Sequence, residues 1–233
     1  MSLLQVNSIV SGYGTTQVLH QVSLKADKGQ VVALMGRNGV GKTTLLKTLM
    51  GLIKVESGSI EYDGANITQW PTEKRAHGGI AYVPQGREIF PHLTVYENLI
   101  LGLAARSIKN QEIPDDIFIM FPELKKLYKR KGGDLSGGQQ QQLAIARMLI
   151  LDPKLILFDE PTEGIQPSIV QSIEYAIRAI KEQQKITIIL VEQYMEMAFR
   201  LGDFCYVMDH GEIVMHDNMG NLEGIEVQKY ISI

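Results

Sequence analysis

The chain has 233 residues, 45% hydrophobic and 21% charged, a balance that supports a folded core and excludes wholesale disorder. Its net charge of −3 gives no electrostatic reason to expect nucleic acid as a main ligand. A single cysteine, Cys205, excludes an intrachain disulfide, and the five histidines show no metal-ligand spacing.

The amino terminus has no basic start followed by an apolar stretch, so no signal peptide is expected. No apolar run approaches the ~20 residues needed to span a bilayer. Residues 3–10 alternate as a strand does, residues 30–35 form a short buried run, and a helix is predicted from Lys42 to Met50 with Gly51 ending it. Residues 60–62 and 65–67 flank the hairpin signal Asp63-Gly64, and residues 80–83 read as a strand stopped by Pro84. From Tyr96 to about Leu151 the periodicity is helical, interrupted near residues 110–116 and at Gly132-Gly133. Strand patterns return at 155–158 and 186–191, separated by a helical stripe of Ile169, Ile173, Ile177 and Ile180. A closing hairpin is expected over His210-Gly211. Alternating strands and helices predict an α/β fold with a parallel sheet covered on both faces, and ligands at the carboxyl ends of its strands. Residues 1–87 and 152–233 are assigned to a core with an antiparallel β part, and 88–151 to an inserted helical subdomain, within one domain.

Three stretches carry chemistry. Gly36-Arg37-Asn38-Gly39-Val40-Gly41-Lys42-Thr43 satisfies G-x-x-x-x-G-K-[ST] between a predicted strand and helix. Its backbone N–H groups can curl around phosphate oxygens, Lys42 can reach the β- and γ-phosphates, and the Thr43 hydroxyl can ligate Mg²⁺. Residues 155–160 form an apolar strand ending in Asp159 and Glu160. Alone this is an ordinary acidic turn; beside a P-loop, Asp159 becomes a candidate Mg²⁺ partner and Glu160 a candidate base for an attacking water. Leu135-Ser136-Gly137-Gly138-Gln139 opens a helix. It reads either as a helix cap or as a second anion site serving a neighbouring subunit.

Together these stretches resemble the ABC ATPase family across essentially the whole chain. The resemblance implies a P-loop NTPase fold of the RecA-like type, ATP and Mg²⁺ as ligands, and transport-coupled ATP hydrolysis. It extends nucleotide contact to Thr44, to Tyr13 as an adenine-stacking aromatic, and to Ser136, Gly137, Gly138 and Gln139 facing a partner's ATP. It makes Gln85 a third Mg²⁺ contact beside Thr43 and Asp159. Gln193 stands where most members have a switch histidine, and residues 163–166, at the D-loop position, lack the usual closing aspartate.

Tyr82-Val83-Pro84-Gln85-Gly86-Arg87 and Leu190-Val191-Glu192-Gln193 are similar to the ATPases of branched-chain amino-acid-type importers. GREIFP at 86–91, GGDLSGGQQQQ at 132–142 and EPTEGIQPS at 160–168 look like the ATP-binding subunits of urea importers, which places urea ahead of branched-chain amino acids. The implied partners are a second ABC ATPase subunit, two transmembrane permeases and, indirectly, a solute-binding protein. The implied place is the cytoplasmic face of the membrane, the chain being peripheral there and soluble when isolated. A soluble assembly ATPase of the same family is the reading from another class.

Overall fold

The computed structural model describes residues 1–105, 112–222, 227 and 229–230. In chain order it contains β1 (Ser2–Tyr13), β2 (Thr16–Asp27), β3 (Val31–Met35), α1 (Lys42–Met50), β4 (Val55–Tyr62), β5 (Ala65–Asn66), α2 (Thr72–His77) and β6 (Ile80–Val83). There follow α3 (Val95–Ala105), α4 (Asp115–Met120), α5 (Pro122–Lys126), α6 (Gly137–Leu149), β7 (Leu155–Asp159), α7 (Pro167–Gln184), β8 (Thr187–Val191), α8 (Met195–Leu201), β9 (Phe204–Asp209) and β10 (Glu212–Asn218). Part of the expected polar interruption at 110–116 lies outside the described residues.

Among the described residues, ten strands make two sheets. A four-stranded antiparallel sheet has the order β2-β1-β4-β5, and a six-stranded sheet has the order β10-β9-β3-β8-β7-β6. In the larger sheet every pairing is parallel except β10 on β9. The fold is that of an α/β P-loop NTPase with an antiparallel β part and a helical part. The sequence reading leaves Thr16–Asp27 unassigned because only its second half alternates cleanly; pairing along β1 draws the whole stretch into β2.

Period-two alternation sorts the central strands between two cores. Leu155, Leu157, Ile189 and Val191 face one side, with α1 and the inner face of the antiparallel sheet. Ile156, Phe158, Ile188 and Leu190 face the other, with α3, α6 and α7. Seven of the nine residues of α1 are buried, because it is enclosed between two sheets. Cys205 is buried, and burial pushes its thiol up to about 12, so it is an inert core group.

The carbonyl end of α1 meets an unusual partner. Arg75, 2% exposed, donates from Nη1 to the carbonyls of Thr48 and Leu49, each at 2.8 Å. Its other nitrogens reach Thr68 O at 2.9 Å and Trp70 O at 3.0 Å. The guanidinium thus satisfies terminal helix carbonyls and complements the negative end of the helix dipole without any carboxylate. Arg75→Ala would strip this donor from the Leu49, Thr68 and Trp70 carbonyls, leave Thr48 O with the Gly51 N–H alone, and open a cavity, and is expected to lower unfolding free energy by about 3 kcal/mol in urea titration. A loss below about 0.5 kcal/mol, the scale of an ordinary surface change, would show that α1 does not depend on this contact.

Candidate functional site

The P-loop leaves β3 at Met35 and enters α1 at Lys42. Gly36 has φ +150°, and a Cβ there would lie 2.3 Å from the Met208 carbonyl oxygen, so the loop can pass β9 only as glycine. The loop encloses a cavity of about 290 Å³. Asn38, Gly39, Gly41, Lys42, Thr43 and Thr44 line it from the loop, and Gln85 and Glu160 from across it. Val40 is buried beneath, and Gly36 and Arg37 contribute carbonyls.

Lys42 is 4% exposed and Glu160 8%. The Lys42 ammonium donates to Gly36 O at 2.9 Å and Arg37 O at 2.8 Å, and lies 3.6 Å from Glu160 Oε1. Burial pulls its pKa below the ordinary lysine value, against the opposing pull of Glu160, Asp159 and Glu192. The cation is thus held by two carbonyls and the candidate base.

Asp159 ends β7 and accepts from Thr43 Oγ1 at 3.1 Å and from the Tyr82 hydroxyl at 2.9 Å, one on each carboxylate oxygen. Burial raises its pKa, and those two hydrogen bonds oppose the rise. Hydroxyl, carboxylate and amide oxygens are what a Mg²⁺ ion takes, so Thr43, Asp159 and Gln85 suit it as a donor set. The Gln85 amide nitrogen donates to Glu163 Oε2 at 2.6 Å and approaches Glu160 Oε2 at 3.4 Å. Glu160 has φ +49°, an uncommon left-handed backbone for a non-glycine residue, of the kind concentrated at working sites.

The loop after Gln85 is itself unusual, with Gly86, Arg87 and Glu88 all at positive φ. It is pinned to α6, where Arg87 donates to Gln140 Oε1 at 3.1 Å and Arg147 to Glu88 O at 2.7 Å. Ser136 is the N-cap of α6, in a capping box with Gln139: each main-chain N–H is met by the other's side chain. A Cβ on Gly138 would lie 2.3 Å from Ile169 Cγ2, so α6 and α7 could not pack as they do. Residues 136–139 do not line the P-loop cavity.

Tyr13 ends β1 at 51% exposure, within electrostatic reach of Tyr82. Gln193 is half-buried, and among the described residues its side chain makes no hydrogen bond. It is not the cap of α8, whose N-cap is Tyr194 with no side-chain bond. Sequence reading assigned no site role to Tyr82 or Glu192, and placed Glu163 only at the D-loop position. Tyr82 was the most accessible of these, as the one polar-tipped residue in an apolar strand beside the acidic one.

The profile of the family described as "ABC transporter" matches residues 19–163. The chain is 42% identical over 216 residues to the high-affinity branched-chain amino acid transport ATP-binding protein BraG of Pseudomonas aeruginosa, covering 92% of each chain. It is 36% identical over 231 residues to the probable branched-chain amino acid transport ATP-binding protein LivF of Archaeoglobus fulgidus, covering 98% of this chain and 96% of that one. Among solved structures, the ATP-binding cassette MJ0796 in a dimeric post-hydrolysis state bound to ADP and Pi superposes with a TM-score of 0.84 at 25% identity. That match covers 93% of this chain and 98% of the other.

Tyr82→Phe removes the hydroxyl from Asp159 Oδ2 while keeping the ring. Loss of one charge-assisted hydrogen bond is worth about 1.5 kcal/mol, so the Mg²⁺ concentration for half-maximal ATP hydrolysis should rise about tenfold. An unchanged Mg²⁺ titration would show that this hydroxyl does not position the carboxylate.

Proposed function

The chain belongs to the ABC transporter family, and on that premise we propose that it is the ATP-hydrolysing subunit of an importer whose solutes are branched-chain amino acids. The observation that carries the enzymatic part is the convergence on one cavity of Lys42, Thr43 and Glu160, with Asp159 hydrogen-bonded to Thr43 behind it. The solute rests on likeness to BraG and LivF, both named for branched-chain amino acid transport. That likeness favours amino acids over the urea expected from residues 86–91, 132–142 and 160–168.

In this reading ATP lays its phosphates along the P-loop amides, and its adenine against Tyr13. Lys42 exchanges its carbonyl contacts for the β- and γ-phosphates, which also frees Glu160 from the ammonium. Glu160 accepts a proton from the attacking water as the new P–O bond forms and the bridging bond to ADP breaks. The Gln193 amide donates to the γ-phosphate; unlike histidine, it cannot take up a proton near neutral pH. Bound Mg²⁺, held by Thr43, Asp159 and Gln85, would neutralise phosphate charge.

Because Ser136, Gly137, Gly138 and Gln139 stand apart from their own P-loop cavity, they are assigned to the ATP of a second cassette packed head to tail. The dimeric state of MJ0796, bound to ADP and Pi, supports the presence of a second cassette. Two permeases and a solute-binding protein complete the proposed importer, with this chain at the cytoplasmic membrane face. Among the described residues no helix is long and apolar enough to cross a membrane.

Two outcomes test the catalytic assignment. Lys42→Ala should weaken ATP binding by at least ~2 kcal/mol in calorimetry, the scale of losing a charged hydrogen-bonding partner. Glu160→Gln should retain ATP and accumulate a closed cassette pair, read by sedimentation in Mg-ATP with the partner cassette present. Unchanged affinity in the first, or unchanged association in the second, would remove that residue from its role. For the solute, cells lacking the chain should lose leucine uptake and keep urea uptake; the reverse would reinstate urea. Tagged chain purified from native membranes should bring permeases with it, whereas a soluble assembly ATPase would not.

A further inference from the structure

The first polar residue after a buried strand normally turns to solvent, yet Glu192, directly after β8, is 1% exposed. Burying a carboxylate is costly unless donors replace water. Here the replacement is divided between two loops. Oε1 accepts from the Thr162 hydroxyl at 2.7 Å and from the Thr162 main-chain N–H at 3.3 Å. Oε2 accepts from the Gln193 N–H at 3.1 Å. Thr162 lies in the turn that begins with Glu160, and Gln193 opens the turn after β8.

The two turns are already neighbours. Asp159 and Val191 pair at the ends of β7 and β8, and the Glu160 N–H donates to Val191 O at 3.0 Å. That bond fixes only the base of the Glu160 turn. Glu192 adds a second tie farther along, across a turn whose first residue holds a left-handed backbone and would otherwise relax.

We propose that Glu192 is a positioning residue for ATP hydrolysis, clasping the turn that carries Glu160 to the turn that carries Gln193 so that both side chains meet the γ-phosphate as one unit. This rests on the roles given above to Glu160 and Gln193. The clasp works through hydrogen-bond acceptance rather than charge. A glutamine at 192 can keep most of it, because its amide oxygen can accept from the Gln193 N–H while its NH₂ donates to the Thr162 hydroxyl, giving up only the longer bond from the Thr162 N–H. An alanine cannot.

The test uses the transporter complex purified through this chain, with kcat and KM for ATP measured at saturating Mg²⁺, and ATP affinity of the full chain by calorimetry. Glu192→Ala should lower kcat about tenfold or more with ATP affinity within about twofold, whereas Glu192→Gln should retain at least about a third of wild-type kcat. In a Gln193→Ala background, Glu192→Ala should cost less than about threefold further, because one of the two side chains that the clasp brings together is already gone. Thr162→Val, which keeps the side-chain shape, covers the case in which Glu192→Ala fails to fold. It should lower kcat several-fold in the wild-type chain and little in Gln193→Ala. A merely structural glutamate would give equal losses in both backgrounds, and that result would overturn the clasp. So would wild-type kcat in a folded Glu192→Ala chain, or in Thr162→Val. If Gln193→Ala itself hydrolyses ATP at the wild-type rate, the role of Gln193 falls and the clasp falls with it. If Gln193→Ala is slow but Glu192→Ala is not, the clasp alone falls.

Discussion

The site depends on one electrostatic constraint, the burial of the Lys42 ammonium. A cation at 4% exposure must be surrounded by acceptors or give up its proton. Two loop carbonyls and Glu160 meet that need directly, and Asp159 and Glu192 stand within electrostatic reach. Each of these carboxylates then needs its own support. Asp159 draws hydroxyls from Thr43 and Tyr82, and Glu192 draws Thr162 and main-chain amides. In the proposed reaction a phosphate chain entering this cluster meets a lysine already dehydrated, which trades its carbonyl and Glu160 contacts for phosphate oxygens without first being stripped of water.

The scaffold supplies the rigidity that this arrangement requires. Because α1 is enclosed by two sheets and tied at its far end by Arg75, the P-loop at its near end has little freedom to shift. Parallel pairing of β3, β8, β7 and β6 brings their carboxyl ends to one edge. Lys42, Glu192 and Gln85 come from the segments that follow β3, β8 and β6, and Asp159 is the last residue of β7 between the latter two. The active groups are thus a consequence of strand order rather than of proximity in sequence.

The Gln85 loop is the joint between this edge and the helical part. On one side its amide meets Glu163; on the other Arg87 and Arg147 bind it to α6. Ser136 begins that same helix, so a displacement of α6 and a displacement of Gln85 are mechanically related. This is the physical link by which a reaction at the phosphate could move a surface remote from it, the output expected of a transport-coupled ATPase.

Local patterns were enough to determine a good deal. The loop 36–43, the helix Lys42–Met50 ended by Gly51, the apolar strand closing on Asp159-Glu160, and the hairpin signals at 63–64 and 210–211 are all short-range features, set by backbone sterics and by periodicity of burial. They led to the α/β P-loop fold and to the family. The β2 strand was not legible, since its identity comes from pairing along β1 and not from its own alternation. Nor were Tyr82, Thr162 and Glu192, which are chemically ordinary in sequence and acquire meaning only through partners 77, 30 and 30 residues away. Tertiary structure decided them because a buried polar group is defined by what it can bond, and those donors are delivered by other strands of the sheet.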